Sequence, residues 1–195
     1  RDVTVIFGDG AGAAILQPTT EEGKGVLTTH LHADGNYAEK LAFMNPGSHS
    51  GVFTGQDDIF PKTDPYASLM ITPQMVETGQ HYPNMDGQFV FKNAVKRFPE
   101  VIGEALQATG LSVKDIDLLV PHQANLRIAQ FVQKILQLSD DKVYNNIQKY
   151  GNTTAASIPI ALCEAWEKGL VKEGDLVCLA AFGSGFTWAS ALIRW

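Results

Sequence analysis

Two polar side chains stand directly after predicted buried strands, where reactive groups gather in open α/β sheets. His122 belongs to Pro121-His122-Gln123-Ala124-Asn125, which follows a strand predicted at 117–120 and opens a helix. Asn152 belongs to Tyr150-Gly151-Asn152-Thr153-Thr154, which follows a strand predicted at 143–147. A histidine and an asparagine at neighbouring strand ends can donate hydrogen bonds to one oxygen. Such donors stabilise an enolate or another oxyanion that develops in a transition state.

A glycine-rich turn, Phe182-Gly183-Ser184-Gly185, follows a third predicted strand. Its backbone can add an N–H donor, because little side chain obstructs close approach. A thiol nucleophile would complete the chemistry of acyl transfer. Neither cysteine suits that role, since Cys163 falls mid-helix on the apolar side and Cys178 falls within a continuously apolar strand. We predict that both are inert core residues, because a buried thiol resists ionisation.

Two further clusters have chemical interpretations that the surrounding pattern disfavours. Gly8-Asp9-Gly10-Ala11-Gly12 follows a strand, as a dinucleotide-binding loop does, but that motif requires a helix next. Residues 13–16 predict a second strand instead, which favours a close β-turn. His30 and His32 share one face of a strand and, with Asp34, could bind a metal ion. No further ligand of matching spacing is present, so we predict no metal site.

The elements that must position these residues follow from hydrophobic periodicity. Strands are predicted at 3–7 and 25–33. Residues 36–86 are rich in Gly, Pro, Asp, Ser and Thr and predict an irregular insertion, mildly helical at 70–79. From 87 the chain repeats a helix-then-strand pattern, which implies a layered α/β sheet. The predicted helices are 89–109 (kinked or restarted at Pro99), 124–138 and 155–168, and the later strands are 117–120, 143–147, 175–179 and 187–193.

Composition excludes several classes of protein. The chain has 195 residues, 45% hydrophobic and 18% charged, so it can bury a sizeable core. A net charge of −6 argues against broad nucleic-acid binding. No apolar stretch approaches the roughly 18–20 residues of a membrane span. Two cysteines outside any Cys-x-x-Cys motif fit a reducing cytoplasm. Because the sequence begins without Met and in mid-strand, we expect a piece of a longer protein.

Six runs of residues together resemble one family of enzymes, β-ketoacyl-acyl carrier protein synthase III. The resemblance covers nearly the whole chain except the region around 47–82. Its most specific part is His-Gln-Ala-Asn followed by Gly-Asn-Thr. In the order seen in that family, the runs are Gly8-Asp9-Gly10-Ala11-Gly12, His30-Leu31-His32-Ala33-Asp34-Gly35, Val90-Phe91-Lys92, Pro121-His122-Gln123-Ala124-Asn125-Leu126-Arg127-Ile128, Gly151-Asn152-Thr153 and Phe182-Gly183-Ser184-Gly185-Phe186-Thr187-Trp188.

The resemblance implies a thiolase-like fold of two similar α/β halves. Residues 1–35 would supply the last strands of the N-terminal half and the start of the crossover. Residues 36–86 would form an irregular insertion, and 87–195 the C-terminal condensing-enzyme half. The family's nucleophilic cysteine lies upstream of the matching region, so this sequence would lack it. We therefore expect that this chain alone does not catalyse condensation.

The resemblance also implies a reaction, the decarboxylative Claisen condensation of an acyl-CoA starter with malonyl-acyl carrier protein, which initiates fatty-acid synthesis. It further implies a cytoplasmic homodimer that needs no cofactor. His122 and Asn152 match the family's catalytic residues, and Ser184 matches its backbone oxyanion donor. The other matches are Asn125, Gly87 and Gln88 for the pantetheine arm, Arg1 near the coenzyme A adenine, and Lys92, Arg127 and Lys134 for docking of the acidic carrier protein.

Two alternatives remain open at the level of sequence. The chain could belong to a non-catalytic partner subunit that binds acyl chains or stabilises a dimer. It could also belong to a condensing relative that makes a specialised ketide or extends longer acyl chains, since tunnel walls in the other half help to set acyl length.

Overall fold

The computed structural model describes residues 5–43 and 71–195. Several predictions lie outside these residues. They are the contact assigned to Arg1, the first two residues of the strand at 3–7, and the part of the insertion at 44–70.

A mixed four-stranded sheet forms the centre of the described chain, in the order β1-β6-β5-β4. β6 pairs antiparallel with both β1 and β5, and β4 pairs parallel with β5. A separate antiparallel pair is formed by β2 and β3. The strands are β1 Gly25–Ala33, β2 Leu41–Phe43, β3 Pro83–Met85, β4 Leu118–Pro121, β5 Leu176–Gly183 and β6 Thr187–Arg194. The α-helices are α1 Pro73–Thr78, α2 Gly87–Thr109, α3 Leu126–Leu136, α4 Ile147–Tyr150 and α5 Ser157–Glu167.

Helices cover the sheet on both faces, because alternate strand residues point to opposite sides. In β4, Leu119 packs into a core with α2 and α3, whereas Leu118 and Val120 pack into a second core with α5. Cys178 and Val177 of β5 divide between the two cores in the same way. The predicted layered α/β arrangement is therefore present.

The longest helix, α2, begins and ends at residues suited to those positions. The Asp86 carboxylate accepts the backbone N–H of Phe89 at 3.1 Å, which caps the first turn. Gly110 adopts the left-handed conformation with φ 69°, and the Leu111 N–H donates to Leu106 C=O, as the predicted stop requires. The helix continues through Pro99, so no new helix begins there. Among the described residues, no helix is long and apolar enough to cross a bilayer.

The predicted strands near the start of the chain are wrong in the described part. Phe7 makes a single parallel bridge with Asn152, and residues 8–20 form neither helix nor strand. Ile15 and Leu16 are 95% and 82% exposed. A strand needs a neighbour to satisfy its backbone groups, and within the described chain this segment meets one only at Phe7.

The strand predicted at 143–147 is also wrong. Only Val143 forms a bridge, to Leu119, and the one-turn helix α4 begins at Ile147. The reason lies in Gln123, whose buried Oε1 accepts the N–H groups of Asn146 and Ile147 at 3.0 and 3.2 Å. Because these N–H groups donate to Gln123, they do not pair with a neighbouring strand, and a helix begins at this point instead.

The described parts of 36–86 contain more regular structure than predicted. A 3₁₀ helix covers Gly35–Lys40, and the β2–β3 pair brings together the two ends of the 36–86 region. Helix α1 confirms the helical pattern at 70–79, and the Thr72 hydroxyl caps it by accepting the Met75 N–H at 3.2 Å. The division into 1–35, 36–86 and 87–195 remains a prediction.

Candidate active site

His122 is held directly by the central sheet. Its N–H donates to Ala180 C=O at 2.8 Å, which continues the parallel pairing of β4 with β5. Its Nδ1 lies 2.6 Å from the Ser157 hydroxyl, while Nε2 has no hydrogen-bond partner among the described residues. Burial lowers the pKa of His122 to about 4, because desolvation penalises the charged ring. His122 is therefore a neutral imidazole at pH 7.

Asn152 is held by three backbone and side-chain contacts after α4. Its N–H donates to Ile6 C=O at 2.8 Å, and its C=O accepts the Gly8 N–H at 3.0 Å. Its side-chain Oδ1 accepts the Thr154 N–H at 2.8 Å. That last bond fixes which end of the amide is the acceptor, so Nδ2 is the group that remains to donate.

One cavity of about 1420 Å³ brings these two side chains together. Its lining is largely apolar and includes Phe91, Phe182 and Trp188. Lys134, which lies on α3, is not part of the lining. The predicted site residues that do line it are His122, Asn152, Ser184, Asn125, Gly87, Gln88, Lys92 and Arg127. The roles assigned to these residues remain predictions.

Asn125 has a structural task besides its predicted one. It caps α3, because its Oδ1 accepts the Arg127 N–H at 2.9 Å. The same bond leaves its Nδ2 as the group that can donate to a ligand in the cavity. Gly87 and Gln88 open α2 at the edge of the same cavity, with Lys92 one turn further on.

Ser184 occupies the turn between β5 and β6. Among the described non-glycine residues only Gln137 and Thr154 have positive φ, so Ser184 avoids the left-handed region. The neighbouring Gly185, with φ 132°, adopts the conformation that a side chain would disfavour. A serine at 184 is thus compatible with a backbone donor there.

Two family models match this chain. Residues 106–195 match the model described as 3-oxoacyl-(acyl-carrier-protein) synthase III C terminal, and residues 1–35 match the model described as 3-oxoacyl-(acyl-carrier-protein) synthase III. The chain belongs to this family and includes its C-terminal part. The recognition made from the sequence motifs is confirmed.

Curated relatives support the same family. The chain is 43% identical to β-ketoacyl-acyl carrier protein synthase III of Roseiflexus castenholzii and 44% identical to that of Caldanaerobacter subterraneus, each over 195 residues. The match covers 100% of this chain and 53% of each relative, so the chain spans about half the length of the curated relatives it matches. A crystal structure of the synthase III from Thermus thermophilus superposes with a TM-score of 0.75 at 35% identity. The match covers 100% of this chain and 53% of the Thermus thermophilus chain. This structural similarity confirms the thiolase-like α/β fold.

The two cysteines differ from each other, contrary to prediction. Cys178 is buried in β5, as predicted, and burial raises the pKa of its thiol to about 12. Cys163 is exposed, because α5 turns Ala161 and Ala165 to the core instead. The expectation of a core position for Cys163 is therefore wrong. Neither cysteine lines the cavity that contains His122 and Asn152.

His30 and His32 lie together on β1, and both face Glu104 of α2. The Glu104 carboxylate lies 2.5 Å from His32 Nε2 and 3.8 Å from His30 Nδ1. Asp34 is engaged elsewhere, since its Oδ1 accepts the Asn36 N–H at 3.1 Å. Among residues 5–43 and 71–195, no group of three or more candidate ligands is arranged to bind a metal ion.

Sequence reasoning missed three residues that build the site. Ser157 contacts the ring of His122, and Gln123 shapes the start of α4. Glu164 of α5 accepts hydrogen bonds from four side chains around α4. Gln123 was visible as part of the His-Gln-Ala-Asn run. Ser157 and Glu164 stand 35 and 42 residues from His122, so only the folded chain brings them to the site.

Proposed function

We propose that the full-length protein catalyses the decarboxylative Claisen condensation of an acyl-CoA starter with malonyl-acyl carrier protein, and so initiates fatty-acid synthesis. The observation that carries the proposal is the pair of donors in one cavity. His122 and Asn152 both line it, and in each side chain the other polar atom is already engaged, by Ser157 and by Thr154 respectively.

The chemistry uses these donors at the malonyl thioester carbonyl. When the carboxylate leaves as carbon dioxide, the electron pair of the broken C–C bond moves toward the carbonyl oxygen and forms an enolate. His122 Nε2–H and Asn152 Nδ2–H stabilise the charge on that oxygen. The enolate carbon then attacks the acyl thioester, a C–C bond forms, and the cysteine thiolate leaves. We expect a cysteine other than Cys163 and Cys178 to carry the acyl group.

The neutrality of His122 fits this reaction. Decarboxylation needs no base to remove a proton, only hydrogen-bond donors placed where charge develops. Because burial holds the pKa of His122 at about 4, the ring is neutral at pH 7 and carries one N–H, which can donate to the developing oxyanion. No cofactor is required by such a step.

The cavity edge suggests how the carrier protein binds. Gly87, Gln88 and the Asn125 amide would contact the pantetheine arm, and the cations of Lys92 and Arg127 lie on the same cavity. Lys134 shares α3 with Arg127 and would extend the docking surface beyond the cavity. A local basic patch on a chain of net charge −6 would steer an acidic partner mainly through its association rate.

The proposed setting is a cytoplasmic homodimer. The two free cysteines, one of them exposed, support a reducing compartment. Dimerisation is proposed from membership of the family alone.

The decisive experiment removes each donor in the full-length protein. His122→Ala and Asn152→Ala should each lower decarboxylation of malonyl-acyl carrier protein by about 10²–10³-fold, while acylation of the cysteine by acyl-CoA persists. His81→Ala and Asn93→Ala are matched controls, since neither residue lines the cavity. Full condensation activity in either test variant would refute the proposal. A wild-type protein that binds acyl chains without being acylated would favour the non-catalytic partner subunit.

Carrier-protein docking is tested separately by reversing charge at Arg127. Arg127→Glu should raise the apparent KM for carrier protein and flatten its salt dependence, because the steering charge is lost. Lys114→Glu, an exposed cation outside the cavity, controls for the change in net charge. Unchanged carrier-protein kinetics in Arg127→Glu would place docking elsewhere. Comparing acetyl-CoA with branched and long acyl-CoA substrates would identify the starter, and activity only with long chains would favour the long-chain relative.

A further inference from the structure

Ser157 is the first residue of α5 and is 2% exposed. Its hydroxyl oxygen lies 2.6 Å from His122 Nδ1 and accepts the backbone N–H of Gln123 at 3.3 Å. No other hydrogen-bond acceptor contacts the hydroxyl among the described residues. Ser157 therefore meets both His122 and the residue that follows it.

These two contacts decide which way the short hydrogen bond runs. A hydroxyl has one proton to donate and two lone pairs that accept. If His122 Nδ1–H donated to Ser157, the hydroxyl would accept twice, and its own proton would be buried without an acceptor. A buried donor left unpaired is costly, so the hydroxyl proton points to Nδ1.

We propose that Ser157 is a positioning residue that fixes the tautomer of His122, with the ring proton on Nε2. This inference deepens the proposed function and rests on it, because only Nε2–H can then donate to the oxygen of the developing enolate. The opposite tautomer would present a lone pair to that oxygen and repel it. Ser157 thus acts through His122 and does not touch the substrate.

The same hydroxyl also ties the loop to the helix. By accepting the Gln123 N–H, it fixes the backbone immediately after His122 to the start of α5. Gln123 in turn accepts the N–H groups that start α4, the helix preceding Asn152. One serine therefore orients the ring of one donor and holds the backbone of Gln123, whose side chain contacts the segment that leads to the other.

The test measures the tautomer directly in the full-length protein with ring-¹⁵N-labelled histidine, the His122 signals being assigned by their loss in His122→Gln. Wild type should show a protonated Nε2 and an unprotonated Nδ1. In Ser157→Ala, the Nδ1–H form should appear, and kcat for decarboxylation should fall about 10–100-fold with little change in KM. Ser157→Thr keeps the hydroxyl and should restore the wild-type tautomer.

Ser190→Ala is the matched control, because Ser190 is also buried but donates to Val101 C=O at 2.8 Å, away from His122. It should leave the tautomer and kcat unchanged. A wild-type signal from Nδ1–H would overturn the proposal even if Ser157→Ala fails to fold. An unchanged tautomer in a folded Ser157→Ala would overturn it too. A tautomer that depends on Ser157 in a protein without decarboxylase activity would uphold the positioning role and refute the proposed function.

Discussion

The loops that carry His122 and Asn152 are held by different forces. His122 follows β4, whose four residues are all buried, and its own N–H continues the pairing with β5. Asn152 follows a helix of one turn with no buried residue, and its backbone is fixed by a segment from the start of the described chain, Ile6 to Gly8. The first loop depends on the hydrophobic core, and the second on close backbone approach and polar contacts.

One site thus combines a loop that the hydrophobic core stabilises with a loop that local backbone and polar contacts stabilise. The core that supports His122 is shared with the whole sheet, so weakening it should weaken global folding. The contacts around Asn152 are more local, and their loss should disturb catalysis more than folding. The two loops should therefore fail under different substitutions and at different pH.

Leu119→Ala should have the largest effect on stability. Leu119 is fully buried in β4 and packs with α2 and α3, so the substitution leaves a cavity in the core that holds β4, the strand preceding His122. We expect a loss of about 2–5 kcal/mol in the free energy of unfolding, measured by denaturant titration. Leu126→Ala, at a 37% exposed position, should cost far less. Equal losses in the two variants would contradict a core-supported His122 loop.

Gly8→Ala should act mainly on the Asn152 loop. A Cβ at Gly8 would lie 2.0 Å from the Tyr150 carbonyl oxygen, so one of the two backbones must move. We expect a loss of about 1–3 kcal/mol in stability. If the proposed function is right, decarboxylation should fall toward the level of Asn152→Ala, because the displaced amide would no longer reach the oxygen of the proposed enolate.

Gly103→Ala is the control for a glycine that nothing crowds. Gly103 is exposed within α2, and a Cβ there meets nothing within 4 Å. It should stabilise the protein by up to about 1 kcal/mol, since glycine is a poor helix former. If activity fell in Gly103→Ala, or did not fall in Gly8→Ala, the close approach of Gly8 to the Tyr150 backbone would not be what positions Asn152.

The same contrast explains what could be predicted from the sequence. The strand before His122 was predictable, because continuous apolar residues at 118–120 followed by a polar strand end are a local signal. The residues before Asn152 were misread as a strand, because α4 begins through the distant Gln123 side chain. The first residues were misread for a related reason, since β-branched residues favour a strand that long-range pairing must complete. The family motifs nevertheless pointed to His122 and Asn152, which line one cavity, but not to Ser157 or Glu164, whose contacts appear only once α5 is in place.

Glu164 supports the Asn152 loop through polar contacts, whereas the hydrophobic core supports the His122 loop. Its carboxylate accepts hydrogen bonds from Asn146 Nδ2 at 2.7 Å, Lys149 Nζ at 3.0 Å and the hydroxyls of Tyr144 and Tyr150 at 3.2 and 3.0 Å. The side chain is only 16% exposed. These donors, with that of Asn146 foremost, lower the pKa of Glu164 to about 2, because they all favour the charged form.

Glu164→Gln should therefore give the smallest loss, about 1–2 kcal/mol at pH 7 once screening at a partly exposed site is allowed for. The contribution of the carboxylate is fully present above its ordinary pKa of 4.5 and is lost as the pH falls toward 2. The difference in unfolding free energy between the two proteins should thus shrink between about pH 5 and pH 2. His122 adds a second pH effect, because between pH 6.5 and about 4 its ring takes up a proton in the unfolded state but not in the folded state, which lowers the stability of wild type. Glu164→Gln shares this loss, so it cancels in the difference between the two proteins. Glu167→Gln, which removes an exposed acid from the same helix, is the matched control and should change the unfolding free energy little at pH 7. A difference for Glu164→Gln that stays constant with pH would mean that its charge does not hold the Asn152 loop.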